Sequence, residues 1–527
     1  MKKMTHASGI TILVASLIGC SAGNPATQSS VEPASALTES MPSPTSNQAV
    51  SSAPNQGNTA QSSELSKRMA DYDYAFKKKP TYTRTNEMYF QDYGTNPFVS
   101  TATDHLSTFA ADVDTGSYTV MRSYVRDGSL PPPEAVRVEE FINYFPTAYP
   151  APEKQTFAIV ADGGPSPFYK GTQLVRIGIK GKEITAEQRK PAQLVFVIDV
   201  SGSMDRENRL ELVKKSLNVL VDQLQPEDTV GIVVYGSQGR VLLPPTSIDD
   251  KHRILAAIGS LTPEDSTNVE EGLTLGYEMA SRSFERGAIN RIILCSDGVA
   301  NVGKTGARGI LRSIEDYARK DIYLSTFGFG MGNYNDVLME QLADKVQGNY
   351  AYIDSFSEAR RVFTEALTGT LQTIARDVKI QVEFDPKKVA AYRLLGYENR
   401  DVRDEDFRND KTDAGEVGAG HSVTALYEVK LKPASNTELG TVRIRYHDAA
   451  SQQVEEVAQP VQVQSELAPD LKFLAAAAQF AEILRKSPWA EEGSLRDVLD
   501  LAKSSAQGEQ ELEFVRIVKD SLAIRGR

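Results

Sequence analysis

The chain has 527 residues, about three or four domains' worth of material at ~150 residues each. Apolar residues make up 40%, charged residues 24% and aromatic residues 8%, enough to bury real cores. A formal charge of −12 argues against a nucleic-acid partner, whose phosphates call for a basic face. The histidines, His6, His105, His252, His421 and His447, include no His-Glu-x-x-His pair and no two at ligand spacing, which excludes zinc hydrolase chemistry.

Residues 1–19 read as an export signal: Met1-Lys2-Lys3, an apolar run of about a dozen residues, and a small residue before Cys20. The run is too short to span a bilayer. Leu17-Ile18-Gly19-Cys20 resembles a bacterial lipobox, in which the cysteine thiol is acylated and becomes the first residue of the mature protein. Ser21, rather than Asp, resembles the signal for transfer to an outer membrane. The expectation is a lipid-anchored protein of the cell envelope, in the outer membrane and facing the periplasm. Lipidation of Cys20 leaves Cys295 without an intrachain partner.

Residues 20–85 hold the lipidated cysteine and a disordered tether. From Ser21 to about Lys67 they are Ser, Pro, Gln, Asn, Ala and Thr with no aromatic residue, too little apolar surface to offset ordering entropy. The tether supplies reach. Tyr72 to Phe98, with Lys77-Lys78-Lys79, reads as a solvated loop rather than a lipid-facing basic patch, for which three lysines are a weak signal. Residues 86–190 form an α+β region: a strand from Leu106, a helix over Tyr118–Arg126, a second over Glu134–Phe145 after Pro131-Pro132-Pro133, and antiparallel strands Thr156–Asp162 and Gln173–Lys180.

Residues 191–376 change texture. Gln193–Asp199 is a continuous apolar run, the mark of a strand buried on both faces. A helix follows with Leu210, Val213, Leu217, Leu220 and Leu224 on one stripe. Strands then read at Thr229–Tyr235, Arg291–Cys295, Ile322–Phe327 and Tyr350–Ile353. Helices read at Asn268–Ser283, Arg308–Lys320, Asp336–Val346 and Glu358–Ala375. This alternation predicts an α/β fold, a doubly wound, mostly parallel sheet, with Arg240–Leu243 as an antiparallel edge strand. In residues 377–465 the period returns to two, at Val378–Phe384, Val423–Leu431, Val442–Tyr446 and Val454–Val461. These strands and the two before Pro191 are expected to form one antiparallel β-sandwich, with the α/β unit inserted in it. Residues 466–527 close the chain with helices Leu471–Arg485, Leu495–Ala502 and Glu509–Ile524, whose alanine-rich stripe reads as packing.

The chemistry concentrates after two buried strands. Val197-Ile198-Asp199 runs into Val200-Ser201-Gly202-Ser203, and Leu294-Cys295-Ser296 into Asp297-Gly298. In an open α/β sheet such residues reach the crevice outside the carboxyl ends of the strands. Asp265-Ser266-Thr267-Asn268 sits between them at a helix start. Two carboxylates, three hydroxyls and no nitrogen or sulfur make a hard oxygen set suited to Mg²⁺ or Mn²⁺. Singly, each residue reads as a cap or a turn.

Together, Asp199, Ser201, Ser203, Thr267 and Asp297 resemble the metal-ion-dependent adhesion site of a von Willebrand factor A (VWA) domain, whose signature is Asp-x-Ser-x-Ser, a lone threonine and an Asp-Gly. The resemblance implies coordination by Asp199, Ser201, Ser203 and Thr267, with Asp297 direct or through a water. It also implies a protein partner whose Asp or Glu takes the remaining position: recognition, not catalysis. Leu106–Phe109, Asp112–Tyr118, Leu130–Phe145, Gly396–Arg400 and Asp413–His421 are similar to the flanking regions of a group of bacterial VWA lipoproteins, so the resemblance covers nearly all the chain after the tether.

Three other readings stand beside it. A structural scaffold would use the metal only to stiffen its loop. Asp114-Thr115-Gly116-Ser117 is an aspartic-protease tetrapeptide, but a protease needs two facing carboxylates and this chain has one such motif. The same stretch, Asp112-x-Asp114-x-Gly116, has a faint calcium-loop look but lacks the terminal glutamate, and capping of the next helix is the better account. An Asp-x-Asp phosphatase would need an acid where Ser201 stands. Cys295 reads as core.

Overall fold

The computed structural model describes residues 82–85, 88–264, 266–298, 306–318, 321–433, 437–491 and 493–526. Cys20 with its export signal, the tether up to residue 81, Lys77-Lys78-Lys79 and Asp265 lie outside them. Within Tyr72–Phe98, read from the sequence as loop, β1 (Tyr82–Thr85) and β2 (Met88–Gln91) pair antiparallel. Met88 and Phe90 are buried in one core with Val120 and Tyr124 of helix Gly116–Arg126. Then come β3 (Val99–Ser100), β4 (Leu106–Ala110), β5 (Phe157–Pro165) and β6 (Thr172–Gly181).

The inserted unit is built on β7 (Ala192–Asp199), β8 (Thr229–Tyr235), β9 (Gly239–Ser247), β10 (Ile289–Ser296), β11 (Tyr323–Phe329) and β12 (Tyr350–Ile353), in the order β12-β11-β10-β7-β8-β9. All neighbours are parallel except β9, the expected antiparallel edge. Strand β7 shows why its sequence is apolar from Leu194 to Ile198. Leu194, Phe196 and Ile198 enter the core made with Leu210, Val213 and Leu217 of helix Arg209–Asp222, whereas Val195 and Val197 enter the opposite core with Leu273 and Tyr277 of helix Val269–Arg282. From β7 the chain moves outward through β8 and β9, then returns to β10 on the other side. The crevice beyond the carboxyl ends of β7 and β10 is therefore the topological switch point.

After the insertion, β13 (Thr373–Phe384), β14 (Val389–Leu395), β15 (Gly415–Gly418), β16 (Ser422–Leu431), β17 (Glu438–Asp448) and β18 (Val454–Gln462) complete two antiparallel sheets. One runs β3-β14-β16-β6-β5; the other runs β15-β13-β17-β18, with β4 also paired to β13. Val175 and Ile177 from one sheet and Val382, Val442 and Ile444 from the other share a single core. Because β6 pairs with β16 along nine residues, strands from before and after the α/β unit form the same sheet. The fold class expected from the sequence, a doubly wound α/β sheet inserted in an antiparallel sandwich, is the one observed.

Local differences have local causes. The helix expected over Glu134–Phe145 is a 3₁₀ turn, Pro133–Ala135, and a helix, Val138–Asn143. Between them Val136 and Arg137 are extended, with the Arg137 N–H donating to Ser117 Oγ at 2.9 Å. The helix expected over Glu358–Ala375 breaks into Phe356–Arg360, a π turn at Arg361–Glu365 and Leu367–Leu371 before β13 begins. Helix Lys251–Gly259 escaped the sequence reading: only Ile254 and Ile258 are buried, a single apolar pair. Asp114 does not cap helix Gly116–Arg126. Its carboxylate accepts the Tyr350 N–H at 2.9 Å and pairs with Arg400 at 3.2 Å, tying the segment after β4 to the start of β12.

The closing helices, Pro469–Leu484, Leu495–Ser505 and Glu509–Arg525, pack on helix Val138–Asn143. Ala475 to Ala478 and Ala481 are buried among Phe141, Phe145 and Phe514, so the alanine stripe is packing. Just before β16, His421 is half-buried, and its enclosed Nδ1 has no hydrogen bond among the described residues. Burial, then the charges of Lys180, Arg361 and Arg291, push its pKa down from 6.5 to about 4. The unfolded chain therefore binds a proton between those values that the native state rejects. Stability from this group is complete above pH 6.5 and is lost as pH falls toward 4. Between pH 7 and 4.5 this amounts to about 2–3 kcal/mol, and His421→Gln should remove that slope from a comparison of urea midpoints at the two pH values. An unchanged slope refutes the assignment.

Candidate functional site

Asp199 ends β7 fully buried. Its Oδ1 accepts the Ser201 N–H at 2.9 Å, while Oδ2 accepts from Ser296 Oγ at 2.8 Å and Tyr235 Oη at 3.4 Å. Residues at the ends of β8 and β10 thus orient a carboxylate delivered by the strand between them. The chain turns away through Val200 into a 3₁₀ helix, Gly202–Asn208, which brings Ser201 Oγ and Ser203 Oγ to 3.0 Å. Asp297, also fully buried, follows β10. The next residue is Gly298 at φ +75°, where a Cβ would lie 2.8 Å from the Asn335 carbonyl. Only glycine fits there without strain.

Thr267 is buried in the segment that enters helix Val269–Arg282. That segment is held at the same rim: the Glu264 N–H donates to the Val200 carbonyl, and the Asn268 N–H to the Gly236 carbonyl at 3.1 Å. The helix cap itself is Asn268, whose side chain accepts the Glu271 N–H. The structure thus gathers Asp199, Ser201, Ser203 and Asp297 at the switch point and brings the Thr267 segment against the loops after β7 and β8.

The electrostatics explain what such a rim needs. Burial, and next the charge of Asp297, raise the Asp199 carboxyl from 3.8 to about 7, against the opposing hydrogen bonds from Ser201 and Ser296. Two carboxylates that repel inside a buried, hydroxyl-lined rim fit a hard divalent cation bound by oxygen. Arg209 adds a group the sequence reading missed. Its guanidinium pairs with Asp297 at 3.2 Å, donates to Asn333 Oδ1 at 2.8 Å and also bonds the Met331 carbonyl. No local pattern marks an arginine that opens a helix as the partner of an aspartate 88 residues on. Ser296 and Tyr235 were likewise missed, although Ser296 directly precedes the recognised Asp-Gly.

Comparison with known proteins identifies the class. Residues 194–299 match the von Willebrand factor type A domain, residues 84–176 a von Willebrand factor model, and residues 369–524 the C-terminal region of uncharacterized protein YfbK. The chain is a VWA-domain protein, a class whose domains serve protein interaction. It is 38% identical over 465 residues to "Uncharacterized protein YfbK" of Escherichia coli (strain K12), covering 82% of this chain and 80% of that protein, and it belongs to that family. It is also 27% identical over 309 residues to uncharacterized protein sll0103 of Synechocystis, covering 56% of this chain and 72% of that one. To human inter-alpha-trypsin inhibitor heavy chain H3 it is 24% identical over 267 residues, 46% of this chain and 29% of that one. Among solved structures, a von Willebrand factor type A protein from Catenulispora acidiphila aligns over 71% of this chain and 91% of its own, at 16% identity and a TM-score of 0.42.

Proposed function

We propose that this chain is a cell-envelope lipoprotein whose VWA rim holds Mg²⁺ or Mn²⁺ and recognises a partner protein through an Asp or Glu carboxylate. Cys20, acylated, supplies the anchor, in the outer membrane and facing the periplasm. Among the described residues no helix is long and apolar enough to cross a membrane. Asp199, Ser201, Ser203 and Thr267 are the coordinating groups, with Asp297 direct or through a water. The observation that carries the reading is the burial of Asp199 beside Asp297, with hydroxyls as the only other side-chain donors in the recognised set. Bound there, the ion supplies an electrophilic position for one more carboxylate: two aspartates balance its charge and the hydroxyls add none. Arg209 holds Asp297 and the Met331–Asn333 loop in place, which keeps the rim formed around the incoming group.

Calorimetric titration of the purified chain with Mg²⁺ and Mn²⁺ tests the first half; no heat and no stabilisation at millimolar metal rejects it. Pull-downs from envelope extract test the second. A partner captured by the wild type should be lost with EDTA and with Asp199→Ala. A partner retained in both cases refutes carboxylate recognition. A large melting loss in EDTA with no metal-dependent partner shows a purely structural ion.

A further inference from the structure

Far from the rim in sequence, Asp112, Glu139 and Glu140 converge. Asp112 follows β4, and the two glutamates begin helix Val138–Asn143. One carboxylate oxygen from each lies within 4.8 Å of the others, and all three residues are buried. The oxygens are not equally provided for. Asp112 accepts the Asp114 N–H at 3.0 Å and pairs with Arg400 at 3.1 Å; Glu140 accepts the Ser117 N–H at 2.7 Å and pairs with Arg137. Glu139 Oε2 accepts the Tyr397 N–H at 3.0 Å. Glu139 Oε1, in a residue only 1% exposed, accepts no hydrogen bond among the described residues.

Positive charge is also short. Arg137 and Arg400 are shared among Asp112, Asp114, Glu140, Asp336, Glu340 and Asp344, and neither pairs with Glu139. The next guanidinium, Arg485, is bound to Glu398 and Glu482. A buried carboxylate oxygen with neither donor nor cation destabilises the fold, and like charges around it add to that. Of the three, Asp112 also lines a cavity of about 250 Å³, together with Asp114, Asp344 and Arg400.

We propose that Asp112, Glu139 and Glu140 bind a second divalent cation, of the Ca²⁺ type, separate from the ion at the rim. Three carboxylates and no nitrogen or sulfur select a hard ion. Ca²⁺ accepts irregular, carboxylate-rich coordination at roughly 2.3–2.6 Å, whereas Mg²⁺ demands near-ideal geometry and keeps several waters, for which a buried cluster has less room. Bound there, the cation takes the Glu139 oxygen that has no donor. It joins helix Val138–Asn143 to the segment after β4, where Arg400 and Tyr397 of the sandwich and Tyr350 of the α/β unit already meet.

The test uses the full chain carrying Asp199→Ala, so that the rim is silent and the outcome is independent of the proposed function. After chelation, calorimetric titration with Ca²⁺ to about 1 mM, the range of extracellular calcium modules, should show one bound equivalent and a rise in melting temperature. Adding Glu139→Gln should abolish both; Asp112→Asn gives the same reading should the first variant fail to fold. Absence of binding in the Asp199→Ala chain overturns the proposal. So does a Glu139→Gln chain that melts higher than its parent to the same extent with and without Ca²⁺, because the cluster is then neutralised by a proton.

Discussion

Asp199→Asn is expected to abolish Mg²⁺ binding at the rim and yet to raise the stability of the ion-free protein at pH 8. The folded Asp199 carboxyl titrates near 7, above its ordinary 3.8, because burial and Asp297 disfavour the charge. The ion-free native state therefore binds the proton more tightly than the unfolded chain, and stability falls as pH rises from about 4 to about 7. An amide escapes that loss while keeping an oxygen for the Ser201 N–H and a donor for Ser296 Oγ, which accepts as readily as it donates. The gain at pH 8 should be of order 2–4 kcal/mol in urea unfolding with EDTA present. The same ionisation makes metal affinity in the wild type fall about tenfold per pH unit below 7, since the ligand must be deprotonated. An Asp199→Asn protein that is less stable than wild type in EDTA, or that still binds Mg²⁺, contradicts this account.

The second large effect lies between the sandwich and the closing helices. Arg393 is fully buried, pairs with Glu428 at 3.0 Å and Glu482 at 3.1 Å, and has the Phe98 and Trp489 rings within 6.0 Å and 5.6 Å of its guanidinium. Burial alone would raise the Glu482 carboxyl; the charges of Arg393 and Arg485 overcome it and hold it down at about 2. Arg393→Met should cost about 3–5 kcal/mol, because Glu428 is left buried without its ion-pair partner. Glu482 keeps Arg485. Adding Glu428→Gln to Arg393→Met should recover more than half of that loss, since the penalty belongs to the orphaned charge and not to the missing arginine. Denaturation midpoints of the single and double variants decide it. A double variant no more stable than Arg393→Met shows that Arg393 acts through its packing on the rings.

The parts of the fold written in short-range pattern were legible. Strand β7 is apolar from Leu194 to Ile198 because both of its faces are covered, and the spacing of strand and helix after Pro191 announces a parallel sheet. The three closing helices, the first of them alanine-rich, and the buried Cys295 follow from the same arithmetic of apolar positions. Elements with little periodicity to show did not declare themselves: β14 and β15, the helix Lys251–Gly259, and the break at Val136 and Arg137 that a serine from another helix enforces.

The rim divides in the same way. Asp199, Ser201, Ser203, Thr267 and Asp297 could be read because each stands where a strand must end or a helix must begin, and chain direction alone delivers such positions to one edge of a parallel sheet. That Arg209 reaches back to Asp297, that Ser296 and Tyr235 steady Asp199, and that Asp114 anchors the start of β12 instead of capping a helix could not be read. Nor could the meeting of Asp112 with Glu139 and Glu140 beneath Arg400, which is 288 residues from Asp112. Backbone hydrogen bonding and apolar periodicity act over a few residues and leave their trace in local order. The pairing of buried charges is chosen by whichever groups the packed domains bring together out of water, and the chain order carries no record of that choice.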